Sequence, residues 1–378
     1  MRTNEASAVI LHVTEFTKGG IETHLNEVLS YQADKHEVYL MASELNSNRD
    51  TLQIAPERLV LYPYKRSPAQ MLRAMLAIRR QIKRIKPDIV HIHGTFAGFF
   101  VRLLLPAIGR PPVIYCSHGW SFLMDTSAWK QSLYAMTEKL LALRTDTIIH
   151  ISDYEYRMAL ARGLPERKSA VVYNGISDHR REHAPFNVNP NKINLLYIGR
   201  FDRQKGFDLL LDTFNRTSYD DIDLYLVGDT VLGAAEYAYP DNAVRLGWVA
   251  NTEIDRYVQS CDAVIVPSRW EGFGIVAIEA LRGGKPVIAS NRGALPEIVR
   301  HGVNGYLFDF AHPEQLESIL RSLDKQTLAR MGEEGKRIFA DKFRAELMNE
   351  QIDRVYDKVR QGRRGSYPAA VNNQTQRG

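Results

Sequence analysis

Arg269-Trp-Glu-Gly-Phe-Gly-Ile-Val-Ala-Ile-Glu279 decides how the rest of the chain is read. It follows an apolar run, Ala263-Val-Ile-Val-Pro-Ser268, with the length and composition of a buried parallel strand. It leads into a helical pattern that continues through Leu281. Strand, glycine turn and helix start thus follow one another directly. Gly272 and Gly274 let a ligand approach the main chain, and the amides of the first helical turn have no partner within the helix. An anion or a hydrogen-bonding sugar suits such a place. Glu271 lies on the turn, and Glu279 about 8–10 Å further along the helix at 1.5 Å per residue. A carboxylate accepts from two neighbouring hydroxyls. Two of them flanking an anion-binding helix end describe a clamp for a sugar, a diphosphate and a ribose. The Glu spacing alone carries little. The glycines, the strand before them and Gly283-Gly-Lys-Pro-Val-Ile-Ala-Ser290 after them carry the reading.

The same pattern recurs along the chain. Between Ile193 and Leu211, Arg200 and Lys205 flank a loop that joins a predicted strand to a predicted helix. Two cations there hold a diphosphate, Arg through its planar fork and Lys as a point charge. Ala8–Val13 reads as the first strand, with Gly19 and Gly20 in the turn before a helix. The dinucleotide fingerprint Gly-x-Gly-x-x-Gly is absent from it. Glu22 and His24 allow a plain reading as an exposed helix face, which is preferred for Glu22. His118 falls at the carboxyl end of the predicted strand Val113–Ser117, where open α/β sheets bind ligands. His91 and His93 alternate on another strand and share a face. No third metal ligand is near them in sequence, so they read as strand-end histidines. Trp120, Phe122 and Trp129 read equally well as an acceptor platform or as core. Asp221-Ile-Asp223 precedes its strand and reads as loop charge.

These stretches together resemble glycosyltransferase family 4, the retaining nucleotide-sugar transferases of GT-B fold. Glu271 and Glu279 match its Glu-x7-Glu signature. Gly199-Arg200 with Lys205-Gly206 matches its Gly-Arg-x4-Lys-Gly. His118-Gly119 matches its His-Gly, and Gly19-Gly20 its N-terminal loop. The resemblance runs to about Arg360 and is most specific in the second half. It implies two doubly wound Rossmann-like α/β domains facing a central cleft, with a C-terminal helix crossing back. The expected divisions are 1–176, a polar linker at 177–192, a nucleotide-sugar domain at 193–345, the crossing helix at 346–362 and a disordered basic tail at 363–378. His118, Arg200, Lys205 and Glu271 are the implied catalytic residues. Gly19, Gly20, Gly272, Phe273, Gly274, Ile275 and Glu279 are implied to hold the donor. No metal and no further cofactor is expected. Trp248 and Val249 are implied neighbours of the base.

Composition is compatible with this. At 378 residues the chain suits two domains. Two cysteines, Cys116 and Cys261, read as buried fillers in a reducing compartment. No apolar run is long enough to span a membrane, and Met1-Arg-Thr-Asn-Glu5 leads at once to a strand, so neither a transmembrane segment nor a leader is expected. The net charge is +5, and the first 176 residues carry all of the excess. Between Lys65 and Lys86 stand Arg66, Arg73, Arg79, Arg80, Lys83 and Arg84 with no acid, interleaved with Met71, Met75, Ile78 and Ile82 at helical spacing. A helix on its own sheet with a solvated basic face gives this pattern. So does a helix lying on anionic lipid, and the lack of acids favours the bilayer. No aromatic platform or recognition motif accompanies the charge, so nucleic acid is not expected.

The function expected is retaining transfer of a sugar from a UDP- or GDP-sugar to a hydroxyl acceptor. A lipid-linked glycan of surface polysaccharide or lipopolysaccharide is the acceptor expected, at the inner face of the cytoplasmic membrane. A nucleotide-sugar epimerase and a non-catalytic scaffold share the fold. The epimerase would not need the Glu271/Glu279 clamp, and a scaffold would not need the intact site. A glycoside hydrolase also pairs carboxylates, but Arg200 and Lys205 would have no part in it.

Overall fold

The computed structural model describes residues 7–64, 67–105, 110–179, 184–230 and 237–364. The first half supplies β1 (Val9–Thr14), β2 (Glu37–Ser43), β3 (Leu59–Tyr62), β4 (Ile89–His93), β5 (Val113–Cys116), β6 (Thr147–His150) and β7 (Ser169–Val171). They form one parallel sheet in the order β3-β2-β1-β4-β5-β6-β7. The second half supplies β8 (Ile193–Ile198), β9 (Ile222–Val227), β10 (Ala243–Gly247), β11 (Ala263–Val266), β12 (Val287–Ser290) and β13 (Gly305–Phe308), in the parallel order β10-β9-β8-β11-β12-β13. The central strands are buried along their length, as in β4 and β11, because helices cover both faces. This is the doubly wound two-sheet architecture expected.

The strand order reverses beside β1 in the first sheet and beside β8 in the second. A crevice opens at the carboxyl ends of the strands at such a reversal. The loops after β1, β4, β8 and β11 are therefore the ones that face it, and three of them are the motif loops singled out by sequence.

The last helix, Ala345–Arg364, returns to the first half. Lys35 meets Asp353 at 2.9 Å, and the Tyr356 hydroxyl lies 2.8 Å from His91 Nδ1. Its start is bonded to the segment after β7: Ile176 N–H donates to Phe343 O, and Ala345 N–H to Ile176 O. One core runs through this crossing, from Val28 and Ile89 through Ile176 and Phe343 to Phe273 and Ala277.

The basic helix spans Pro68–Ile85. Ala74, Ile78 and Ile82 are buried against the sheet, and Arg73, Arg79, Arg80, Lys83 and Arg84 are exposed. Lys65, Arg66 and the tail from 365 onward lie outside the described residues. Both cysteines are buried and free. No described helix is long and apolar enough to cross a membrane. One sequence reading is corrected here, and one left open is decided. Glu22 is not on an exposed helix face: it is buried and accepts from Asn251 of the second half, while His24 is buried against His93 and His118 and bonded to Asn174. Trp120 and Phe122 stack at 5.0 Å within the core, while Trp129 is exposed.

Candidate active site

The turn after β8 carries the two cations. Arg200 lies beside Asp202 at 2.8 Å and donates to Gln204. Asp202 also accepts from the Lys205 amide at 2.9 Å, which shapes the turn. Gly206 then starts the helix Phe207–Arg216 with φ 67. A Cβ there would come 1.8 Å from the Pro267 carbonyl oxygen, so only glycine lets this loop lie against the end of β11.

That contact joins the two motifs. Lys205 Nζ lies 2.6 Å from Glu271 Oε2, with both side chains largely buried. Ser268 Oγ also donates to Glu271 Oε2, at 3.3 Å. Arg269 clamps Asp208 with two guanidinium nitrogens and donates its amide to Gln204 O, so the loops after β8 and β11 are tied twice. Gly274 caps the helix Ile275–Arg282 at φ 107. Behind it Gly293 (φ 62) passes so close to the Glu271 carbonyl that a Cβ would lie 1.9 Å from it. Glu279 lies partly buried on the helix, and burial pushes its carboxyl up to about 7.

The first half meets this turn directly. A Cβ on Gly20 would lie 3.2 Å from Ile275 Cγ1, and one on Gly119 would lie 2.8 Å from the Trp270 ring. Ser152 Oγ donates to Gly272 O at 3.0 Å, and Glu297 accepts from the Asp153 and Tyr154 amides at 3.0 and 2.6 Å. The structure therefore brings Gly20, the His118-Gly119 turn, Gly272 and Ile275 to one place, with Lys205 and Glu271 joined beside them. Glu279 lies further along the helix. Trp248, 60% exposed, is outside this contact.

His118 has φ 52, so its side chain leaves the strand end in a direction an extended residue could not take. It ends a buried chain. Gln32 Oε1 lies 2.8 Å from His12 Nε2, His12 Nδ1 2.9 Å from His93 Nε2, and His93 Nδ1 2.9 Å from His118 Nε2. The Gln32 carbonyl can only accept. With that amide so oriented, His12 donates from Nε2 and accepts on Nδ1, and His93 does the same in turn. His118 is left with a bare Nδ1, an acceptor. Burial lowers His12 and His24 to about 4 and holds His91, His93 and His118 well below their ordinary range, so the cluster is neutral at neutral pH. His12, His91 and His93, and likewise His24, His93 and His118, place three ring nitrogens within 4.8 Å of one another, a spacing a metal ion could use. Hydrogen bonds already engage His93 on both nitrogens, and Gln32 and Asn174 fix the outer rings.

Sequence reading missed His12, Gln32 and Glu155. His12 and His91 are partners across β1 and β4, a pairing only the strand order creates. Glu155 lies in the first turn of the helix Asp153–Ala161. It is fully buried behind Gly272, where a Cβ would be 3.1 Å from its Oε1, and burial pushes it up to about 8. No local signal marks it.

Comparison with known proteins agrees with this geometry. Residues 178–338 match the family described as glycosyl transferases group 1, and residues 18–180 match Glycosyltransferase Family 4. An uncharacterised glycosyltransferase of Methanocaldococcus jannaschii is 31% identical over 72% of this chain and 76% of its own length. The chain belongs to glycosyltransferase family 4. An uncharacterised 41.2 kDa protein in the cps region of Klebsiella pneumoniae is 34% identical over 92% of this transferase and 99% of its own length. The lipopolysaccharide 1,2-N-acetylglucosaminetransferase of Salmonella typhimurium is 30% identical over 52% of this chain and 59% of that one. The structure of Anabaena Alr3699/HepE in complex with UDP-glucose superposes with a TM-score of 0.77 at 21% identity, covering 93% of this chain and all of that one. The fold is GT-B.

Proposed function

We propose that this transferase moves a sugar, with retention at its anomeric carbon, from a UDP- or GDP-sugar to a hydroxyl on a lipid-linked glycan. The observation that carries the reading is the Lys205–Glu271 pair at 2.6 Å, set between the cation loop and the glycine turn, with Gly20 against Ile275. A cation, a carboxylate and free helix amides are what a sugar diphosphate needs in one place. Arg200, Lys205 and the amides of Gly272, Phe273, Gly274 and Ile275 stabilise charge on the departing diphosphate. Gly19 and Gly20 leave room for it. Glu271 and the bare Nδ1 of His118 accept from sugar hydroxyls, and Glu279 accepts from the ribose. The acceptor oxygen bonds to the anomeric carbon as the bond to the diphosphate breaks, and the acceptor proton passes to the leaving phosphate oxygen. These residues supply the cationic charge without a metal. A relative named as a lipopolysaccharide transferase supports a surface glycan as acceptor, and the exposed cations of helix Pro68–Ile85 support the inner membrane face as the place.

A thermal-shift screen with UDP, GDP, ADP and their sugars, with the chelator EDTA present, tests the donor half. One nucleotide should raise the melting temperature, by free energy of about 2.7 kcal/mol at a hundred times its Kd. Lys205→Ala should lose the shift. If no nucleotide shifts the folded wild-type protein, the proposal falls.

A further inference from the structure

The helix Ala128–Ala142 carries apolar side chains on the side away from its sheet. Ala135, Leu141 and Ala142 face inward and are buried, and Glu138 is held inside by Arg102 at 2.9 Å. Outside, Trp129, Leu133, Met136, Leu140 and Leu143 are 64, 43, 56, 62 and 76% exposed. Their spacing alternates four and three, which sets them on one stripe of the helix. Single exposed leucines are ordinary, but a continuous stripe of large apolar groups marks a contact surface.

The neighbouring helices extend it. Helix Thr95–Leu104 packs beside Ala128–Ala142, and helix Pro68–Ile85 beside that one. Right-handed crossovers from β3 to β4, β4 to β5 and β5 to β6 put all three on one face of the sheet. Leu72, Leu76 and Leu103 are exposed there. So are Arg73, Arg79, Arg80, Lys83, Arg84, Lys130 and Lys139. The one carboxylate in the three helices is the buried Glu138, and the nearest exposed acids in sequence are Asp88, just past the end of helix Pro68–Ile85, and Asp125, in the turn before helix Ala128–Ala142. The face is thus apolar along one ridge, cationic beside it and without exposed acids on its helices. A second copy of the chain would set like charges against each other. A bilayer with anionic headgroups complements both parts, phosphates for the cations and the acyl boundary for the ridge.

We propose that this face docks the protein on an anionic bilayer, with the Trp129–Leu143 ridge seated at the boundary between headgroups and acyl chains. Helix Pro68–Ile85 supplies mainly attraction: Ala74, Ile78 and Ile82 are buried against the sheet, which leaves Leu72 and Leu76 among its exposed cations. The inference deepens the lipid-linked acceptor reading and rests on it for its purpose, but it is measured independently of catalysis.

The test is flotation of the full chain with phosphatidylcholine vesicles, with and without phosphatidylglycerol, at low and high salt. The wild-type chain should float with anionic vesicles at low salt and less at high salt. The exposed-site variant Leu133→Glu/Met136→Glu/Leu140→Glu should bind about a hundredfold or more weaker. Trp129 emission, taken as the difference from Trp129→Phe, should shift to the blue on anionic vesicles. Vesicle binding unchanged in the triple variant overturns the proposal. So does a wild-type dimer that the variant dissolves into monomers without any vesicle effect, because the ridge would then join copies. The nucleotide thermal shift of the same samples separates the two readings. Nucleotide binding without vesicle binding sinks the docking face alone, and vesicle binding without nucleotide binding sinks the donor reading alone.

Discussion

Glu279 is the residue whose environment makes the sharpest prediction. Burial pushes its carboxyl up to about 7, so it is about half protonated at neutral pH. A ribose diol needs the carboxylate as acceptor. Nucleotide affinity should therefore fall as pH drops below about 7, approaching tenfold per unit. Titration calorimetry across that range should show the slope in the wild-type chain and a flatter one in Glu279→Gln. An equal slope in both would remove Glu279 from the site. The placing of Lys205, Glu271, Gly272 and Gly274 was legible in sequence because it follows from local geometry: a strand end, a turn and a first helical turn. Gly206 shows the limit of that. Its motif was readable, but the reason for it, the Pro267 carbonyl 1.8 Å from any Cβ, belongs to another strand.

Among the elements, the crossing helix Ala345–Arg364 does more than tie the halves together. Its Tyr356 hydroxyl meets both His91 Nδ1 and Gln32 Nε2, and Gln32 in turn orients His12. Tyr356→Phe leaves these buried polar groups short of a partner and should cost about 1–3 kcal/mol, read from urea denaturation. A cost near zero would mean the network closes without the hydroxyl. The helix Asp153–Ala161 shows the same dependence on a distant element. Ser152 caps it from within, by accepting from the Glu155 amide, whereas Glu297 of the second half accepts from its first two amides. The Glu297 contact has no local signal, because its partner lies more than a hundred residues away in the chain.

At the scale of the molecule, the neutral histidine cluster makes stability depend on pH. Each of the five imidazoles has a folded value below its unfolded value of about 6.5. Below that value the unfolded chain takes up more protons, so their contribution is present above about pH 6.5 and is lost as pH falls. Glu155 and Glu279 are raised and act in the opposite sense: their contribution is full below about pH 4.3 and is lost as pH rises through about 7 to 8. His36 and His150 are lowered as well, and Glu22 and Glu27 raised, so seven imidazoles stand against four carboxyls and outweigh them. The melting temperature should fall from about pH 7 to about pH 5, and the fall should shrink in His91→Gln. A rise on acidification would show that the carboxyls dominate.

The sequence by itself determined what short-range rules control. Alternating strands and helices required parallel sheets, glycines marked the turns between strand ends and helix starts, and charge spacing on one helix marked a basic face. The tertiary structure decided everything that depends on which strands are neighbours. Pairing β1 with β4 set His12 against His91 and built the chain that ends at His118. Folding the last helix back completed it, and packing the face of the first sheet left the Trp129–Leu143 stripe outside rather than in the core. A helical stripe of apolar residues looks the same in sequence whether it faces a core or a solvent boundary, because spacing encodes which residues share a side and not what lies opposite them.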